Sequence, residues 1–302
     1  MTATVIIANP IAGSGRGRLS GPAARDLLRG RGLEADLWPT RGPGHAARLA
    51  REAAAAGASL VVAVGGDGTV HEVASGLVGT RTALGVLPTG SGNDFARAIG
   101  CFARPEALAA LMAGRDRAFD SGRLDGDFFC NSLGLLASGL VSLRAARMWR
   151  RLGGARYSLA SAMVLLGYRG DEVVWKLEDA AGQVRTLRGR YLLAEICNTP
   201  FTGGGFCFAP RAHPADGQLD ACLIGKIAPW TAMRQLPKAA GGGRLAHPAI
   251  SVSPFRRLEF MVSRPVGFHR DGEPGTLAAG THRVDIVEKN LLVRVPADWD
   301  GA

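Results

Sequence analysis

Apolar and polar positions follow two different rhythms along this chain. In the first third, continuous apolar runs at Thr4–Ala8, Leu60–Val64 and Ala83–Leu87, and an alternating one at Leu33–Trp38, are separated by stretches with helical spacing. Those stretches are a segment with Ser20 as cap and Pro22 in its first turn, the alanine-rich Gly44–Ala56, residues 69–78, and a helix opening at Asn93–Ile99. Proline suits a first helical turn because its missing N–H would have no partner there. Alternation of strand and helix predicts a parallel sheet with helices on its faces. Each presumed strand ends in a loop rich in Gly, Pro, Asn or Thr. Open α/β sheets bind ligands just beyond those carboxyl ends.

From about residue 124 the rhythm changes to many short β-rich runs. They lie at Phe128–Ser132, Glu172–Leu177, Tyr191–Cys197, Leu219–Ile224, Arg257–Val262, Val266–His269, Val284–Val287 and Leu291–Val295, punctuated by Asp216-Gly217 and Asp271-Gly272. A helical interlude over Ser142–Gly167 interrupts them. The expected organisation is an α/β domain over residues 1–123 and a mainly antiparallel β domain over residues 124–302, whose last strands are open to packing back on the first.

Composition narrows the function classes. With 302 residues and 47% hydrophobic content, the chain can bury a sizeable core. No run approaches the ~20 apolar residues of a bilayer-spanning helix; the best candidate, Leu159–Tyr168, is bounded by Arg156 and Arg169. No basic segment followed by an apolar run opens the sequence, so a secretory signal is not expected. Five cysteines (Cys101, Cys130, Cys197, Cys207, Cys222) without CxxC spacing suit reduced thiols in a cytoplasm better than disulfides or a metal cluster. The formal charge of +10 suits an anionic partner, although nearly all of it is arginine and base composition explains it equally well. Neither a helix-turn-helix nor a ribonucleoprotein motif is present, which argues against nucleic acid. The histidines lack ligand spacing; His45, His247 and His282 are expected at the surface.

Three glycine-rich loops carry the first chemical signal. The strand Val61–Val64 delivers the chain into Gly65-Gly66-Asp67-Gly68-Thr69, where missing side chains let backbone N–H groups approach phosphate oxygens at a helix N-terminus. Asp67 there is suited to holding Mg²⁺, or else it caps the helix. Neither the GxxxxGK[ST] nor the GxGxxG fingerprint fits this loop. A loop running from Asn9 to Gly17 adds Arg16, and Arg18 lies just beyond it. Leu87–Phe95 adds Thr89, Ser91 and Asp94. Each alone could be ordinary turn chemistry, but three at successive strand ends favour a nucleotide.

The order NP…G, GGDGT, PxGxGND-FAR, GGG…AP…DGxLD and DGE resembles the diacylglycerol and sphingosine kinase catalytic-domain family over nearly the whole chain, from Asn9 to about Pro274. The resemblance implies ATP along the loops of the first domain, and a lipid entering a cleft between it and a β-sandwich second domain. It implies nucleotide contacts at Asn9, Pro10, Ile11, Ala12, Gly13, Thr40, Gly65, Gly66, Asp67, Gly68, Thr69, Val70, His71 and Ser91. Ser91 stands where the family usually has threonine, and Ala12 where it usually has serine. Asp94 is implied near the phosphates and the acceptor hydroxyl. His213, Asp216 and Gln218 match the family's Mg²⁺ loop, Gln218 through its carbonyl; an Asp-Gly turn without an ion is the alternative. Glu273 is implied as proton acceptor, with Asp271 supporting it or the metal, although the pair could equally cap a hairpin.

The resulting expectation is a cytoplasmic ATP:lipid phosphotransferase, peripheral to the inner face of the membrane, with diacylglycerol as first acceptor and a homodimer left open. Leu143–Arg151, with Arg144, Arg147, Trp149 and Arg150, suits contact with an anionic membrane surface, although ordinary helix packing with a solvated basic face is the simpler reading. A NAD kinase-like phosphotransferase and a non-catalytic lipid- or nucleotide-binding protein of the same fold are the alternatives.

Overall fold

The computed structural model describes residues 3–10, 21–148, 155–228, 231 and 245–301. Two compact units divide the chain: Met1–Asp120 with Glu288–Ala302, and Ser121–Val287.

The first unit alternates β1 (Thr4–Ala8), α1 (Gly21–Arg29), β2 (Asp36–Pro39), α2 (His45–Ala55), β3 (Leu60–Gly65), α3 (Asp67–Leu77) and β4 (Ala83–Pro88), followed by α4 (Asp94–Ala98) and α5 (Arg104–Ala113). The sheet runs β4-β3-β1-β2 with parallel pairing throughout, and the chain's final strand adds to β4 in parallel at Val293↔Leu84. Every residue of β1 and β3 is buried. Continuous aliphatic runs of this kind suit strands covered by helices on both faces. α2 covers its share with Ala46, Ala47, Ala50 and Ala53, all buried. Trp299 closes the unit, stacking 5.1 Å from Phe119 and donating its indole N–H to the Ala98 carbonyl.

β5 (Arg115–Leu124) leads into the second unit, which contains β6 (Asp127–Phe129), β7 (Ser132–Leu136), α6 (Ala137–Arg147), α7 (Ala155–Gly167), β8 (Asp171–Glu178), β9 (Val184–Cys197), β10 (Phe201–Thr202), β11 (Phe206–Cys207), β12 (Leu219–Gly225), β13 (Ile250–Phe255), β14 (Arg257–Val262), β15 (Val266–Arg270) and β16 (Glu273–Leu277). The last strand is β17 (Gly280–Val295), whose first half belongs here. Strand order is β16-β15-β7-β9-β8-β14-β17, with β12 joining β9 to β13, all antiparallel. Trp175, Phe129, Phe255 and Phe260 fill its core, Trp175 lying 5.4 Å from Phe260 and edge-on to Tyr191.

The element expectations hold with local changes. Phe128–Ser132 is two strands, broken where Cys130 and Asn131 give their N–H groups to the Asp271 carboxylate. The two runs expected at Val284–Val287 and Leu291–Val295 are one strand. Lys289 between them takes φ 50 and donates its N–H to Asp120, so a kink stands where the polar residues suggested a loop. α5, β5 and β13 carry no apolar period strong enough to have been read. His45, His247 and His282 are half-buried, and His282 pairs with Asp125 at 2.6 Å. No helix among the described residues is long and apolar enough to cross a membrane.

Candidate functional site

Strand register brings the first unit's loops to one edge. Ala8 lies beside Pro39 and Val64, and Gly65 beside Pro88, so β1, β2, β3 and β4 end level with one another. Backbone bonds carry the ladder into the loops: Thr40 N–H to Ala8 O at 2.9 Å, Asn9 N–H to Val64 O at 3.2 Å, and Thr89 N–H to Gly65 O at 2.8 Å. Asn9, Pro10, Thr40 and the Gly65–His71 and Thr89–Asp94 segments therefore share that edge. Ile11, Ala12 and Gly13, like Arg16 and Arg18, lie outside the described residues.

The Gly65–Thr69 turn needs its glycines for close approach. A Cβ on Gly65 would overlap the Thr69 side chain, and one on Gly90 would lie 2.5 Å from Gly66 Cα and 2.6 Å from Asn93 Oδ1. Two loops thus touch backbone to backbone. Asn93 holds the second loop in shape: its Oδ1 accepts Gly90 N–H at 2.9 Å while its Nδ2 donates to Gly90 O at 3.0 Å. It sits at φ 54, ψ 42, a left-handed conformation that asparagine adopts more readily than most residues.

Asp67 ties these parts together. As the first residue of α3, it accepts Asn93 N–H at 2.8 Å through Oδ2. Burial first, and the Asp94 charge second, push its carboxyl up to about 6, against the pull of the Asn93, Asp94 and Phe95 N–H groups. Two mutually repelling carboxylates at a helix N-terminus fit a divalent cation that also binds phosphate oxygens. Among the described residues no three His, Cys, Asp or Glu side chains form a metal cluster, so such an ion would draw on non-carboxylate oxygens as well. The N–H groups of Thr69 and Val70 are already bonded to Gly66 O, and the Val70 side chain is buried. That leaves the very start of α3, where helix geometry provides no internal partner, as the phosphate-facing part. Ser91 is exposed and His71 half-buried.

Two residues that the sequence did not single out set this edge. Besides Asn93, Glu72 on α3 accepts Gly44 N–H at 2.9 Å and Ala46 N–H at 3.0 Å, capping α2 and fixing the Thr40–His45 loop. A glutamate in mid-helix gives no sequence sign of capping a different helix.

In the second unit, Asp271-Gly272 makes the two-residue turn between β15 and β16, both residues at positive φ (47 and 89). That is the hairpin turn for which Asp-Gly is suited. The Asp271 carboxylate accepts three backbone N–H groups at 2.8 Å: Cys130 through Oδ2, Asn131 and Ser132 through Oδ1. Asp271 is thus an anchor, buried and committed to the backbone, while Glu273 is exposed on the first position of β16. The anchor connects onward. Asn131 Nδ2 donates to Phe201 O at 2.9 Å and Ser132 Oγ to Thr202 Oγ1 at 2.8 Å, immediately before Gly203-Gly204-Gly205.

The loop between β11 and β12 holds His213, Asp216 and Gln218. His213 Nδ1 accepts Ala215 N–H at 3.2 Å, and Asp216 Oδ1 accepts Gln218 N–H at 3.0 Å. Asp220, two residues on, is pushed up to about 6 by burial and by Asp216. Asp216, Asp220 and loop carbonyls, those of His213 and Gln218 among them, are oxygen donors of the kind Mg²⁺ takes, while His213 Nδ1 braces the loop.

Comparison with known proteins bears on the family. Residues 3–124 match the Diacylglycerol kinase catalytic domain, and residues 134–293 match the YegS C-terminal NAD kinase beta sandwich-like domain. A Chromohalobacter salexigens protein named "Probable lipid kinase YegS-like" is 34% identical over 76% of this chain and 75% of its own length. A Pseudomonas aeruginosa protein of the same name is 31% identical over 92% and 93%. The Bacillus subtilis "Diacylglycerol kinase" is 30% identical over 82% of each. A solved diacylglycerol kinase from Bacillus anthracis, 19% identical, shares the fold with a TM-score of 0.71 over 97% of this chain and 96% of that one. With both halves matched in order and relatives above 30% identity along most of its length, the chain belongs to the diacylglycerol kinase catalytic-domain family of lipid kinases.

Proposed function

We propose that this kinase transfers the γ-phosphoryl group of ATP to a hydroxyl of a membrane lipid, diacylglycerol first among the candidates. The observation that carries it is the part-buried Asp67 beside Asp94 where four parallel strands end together. In this reading Asn9, Thr40, the start of α3 and Ser91 hold the nucleotide. Mg²⁺ held at Asp67 and Asp94 would neutralise phosphate charge, and a second ion at Asp216 would brace its loop. As the lipid oxygen bonds to phosphorus and the bond to the bridging oxygen of ADP breaks, the hydroxyl proton passes to Glu273. Asp271 cannot take that part easily, since both its oxygens already accept backbone N–H groups.

α7 supports peripheral docking on an anionic bilayer. Its solvent side carries Leu159 (50% exposed), Ala162, Met163 (45%) and Leu166 (64%) at i, i+3, i+4, i+7 spacing, the reverse of an ordinary surface helix. Exposed Arg144 and Arg147 on α6, and Arg169 just past α7, supply charge for acidic headgroups. Trp149, Arg150 and Arg151 lie outside the described residues.

A NAD kinase-like reading draws support from the description of the matched C-terminal domain. The test offers γ-labelled ATP and Mg²⁺ with dioleoylglycerol in phosphatidylglycerol vesicles, with sphingosine in the same vesicles, and with NAD. Label on dioleoylglycerol, lost in Glu273→Gln, is expected. Label on NAD alone would reassign the activity, and no transfer to any acceptor would favour a binding protein.

A further inference from the structure

Strand pairing sets His269, Gly134 and Glu195 side by side across β15, β7 and β9. Residues in one such row face the same way, so the missing side chain of Gly134 leaves a gap between its neighbours. Ser138, in the first turn of α6, fills it: a Cβ on Gly134 would overlap both Ser138 Oγ and His269 Nε2. α6 comes that close because a Cβ on Gly139 would likewise overlap the backbone of Gly267 on β15.

The resulting cluster is polar and buried. Ser138 Oγ donates to Glu195 Oε1 and lies 2.9 Å from His269 Nε2; Glu195 is 1% and His269 5% exposed. The other imidazole nitrogen, Nδ1, accepts the N–H of Gly272 in the Asp271-Gly272 turn, over a long 3.4 Å. Nδ1 as acceptor assigns the proton to Nε2, so donation runs from His269 to Ser138 to Glu195. Among the described residues Glu195 Oε2 is buried with no hydrogen-bond partner, a costly arrangement for a carboxylate to keep if nothing depended on it.

We propose that Ser138, Glu195 and His269 are positioning residues for the kinase reaction, holding the Asp271–Glu273 turn from below while Asp271 anchors it to the start of β7. Glu195 and Ser138 fix the imidazole, and the imidazole fixes Gly272, the residue next to Glu273. The inference rests on Glu273 being the proton acceptor.

Two conservative replacements separate the links. Asn at 269 keeps an acceptor near the Nδ1 position and loses Nε2; Gln keeps a donor near Nε2 and loses the acceptor. His269→Gln is expected to lower kcat about tenfold, the scale of a displaced reacting group, with KM for ATP unchanged. His269→Asn is expected to recover most of that loss. Turnover is read with dioleoylglycerol in phosphatidylglycerol vesicles. Amide exchange across Val266–Leu277, read by mass spectrometry without substrate, should quicken in His269→Gln and not in His269→Asn. Equal kcat and equal exchange in the two variants, with both folded by thermal melting, would overturn the proposal. If Glu273→Gln keeps full turnover, the reading of Glu273 fails instead, whatever the exchange data show.

Discussion

Asp67 keeps its carboxyl part-buried beside Asp94, and that placement has a thermodynamic consequence. Its pKa rises from 3.8 to about 6 on folding, by burial and then by the Asp94 charge. Between those values the folded chain holds a proton that the unfolded chain has released. Stability from this group is therefore greatest below the unfolded pKa and is lost as pH rises through about 6. Asp220 acts in the same window, pushed up to about 6 by burial and Asp216. Without Mg²⁺, the melting temperature should fall between about pH 4 and pH 7 on account of these groups. Asp67→Asn keeps an acceptor for Asn93 N–H, removes the repulsion, and should gain on the order of 2 kcal/mol at neutral pH. The same variant should lose phosphoryl transfer, and a more stable but inactive protein would mark Asp67 as functional. A variant that melts lower at every pH would make Asp67 an ordinary cap. Aspartate in a glycine-rich loop after a buried strand could be read as chemistry from sequence. The part of Asn93 could not, because it depends on a left-handed backbone and on Gly90 lying within reach.

At the scale of elements, the DGE segment divides into an anchor and a free carboxylate. Asp271→Ala would leave the buried N–H groups of Cys130, Asn131 and Ser132 without their acceptor, a loss of about 2–4 kcal/mol. Glu273→Gln, at an exposed position, should leave the denaturation midpoint nearly unchanged while abolishing turnover. Comparable destabilisation in both variants would make Glu273 a structural residue like Asp271. The turn itself was legible, since Asp-Gly between apolar runs signals a hairpin. Its tie to Cys130 and Asn131 was not, because an interruption of a strand by two residues leaves no mark in an apolar pattern. The same limit hid α5, whose buried Ala107, Leu108, Ala110 and Leu111 are interleaved with exposed apolar Ala109, Met112 and Ala113, and β13, which carries Pro254.

For the molecule as a whole, the change from strand–helix alternation to short β runs did mark two architectures, one parallel and one antiparallel. The return of Glu288–Ala302 to the first unit rests on Val293 beside Leu84 and on Trp299 among Phe119 and Ala98. Apolar periodicity shows that such a strand exists but not which sheet it joins. The exposed stripe of α7 is likewise a property that only coordinates reveal, since Leu159, Met163 and Leu166 look like core residues in sequence. Replacing those three by serine should reduce sedimentation with phosphatidylglycerol vesicles by about tenfold or more, because each lost apolar side chain forfeits ~1 kcal/mol or more of burial. Melting temperature should stay the same or rise. Vesicle binding unchanged in the triple variant would remove α7 from the membrane surface.

The central claim, transfer of phosphate to a lipid, is met most directly by labelling. The protein is incubated with γ-labelled ATP, Mg²⁺ and a total bacterial lipid extract, and label is followed into the organic phase. Label in a chloroform-soluble phosphomonoester, absent with Asp67→Asn and with Glu273→Gln, is the expected result. Label confined to inorganic phosphate or to a water-soluble nucleotide would contradict the account.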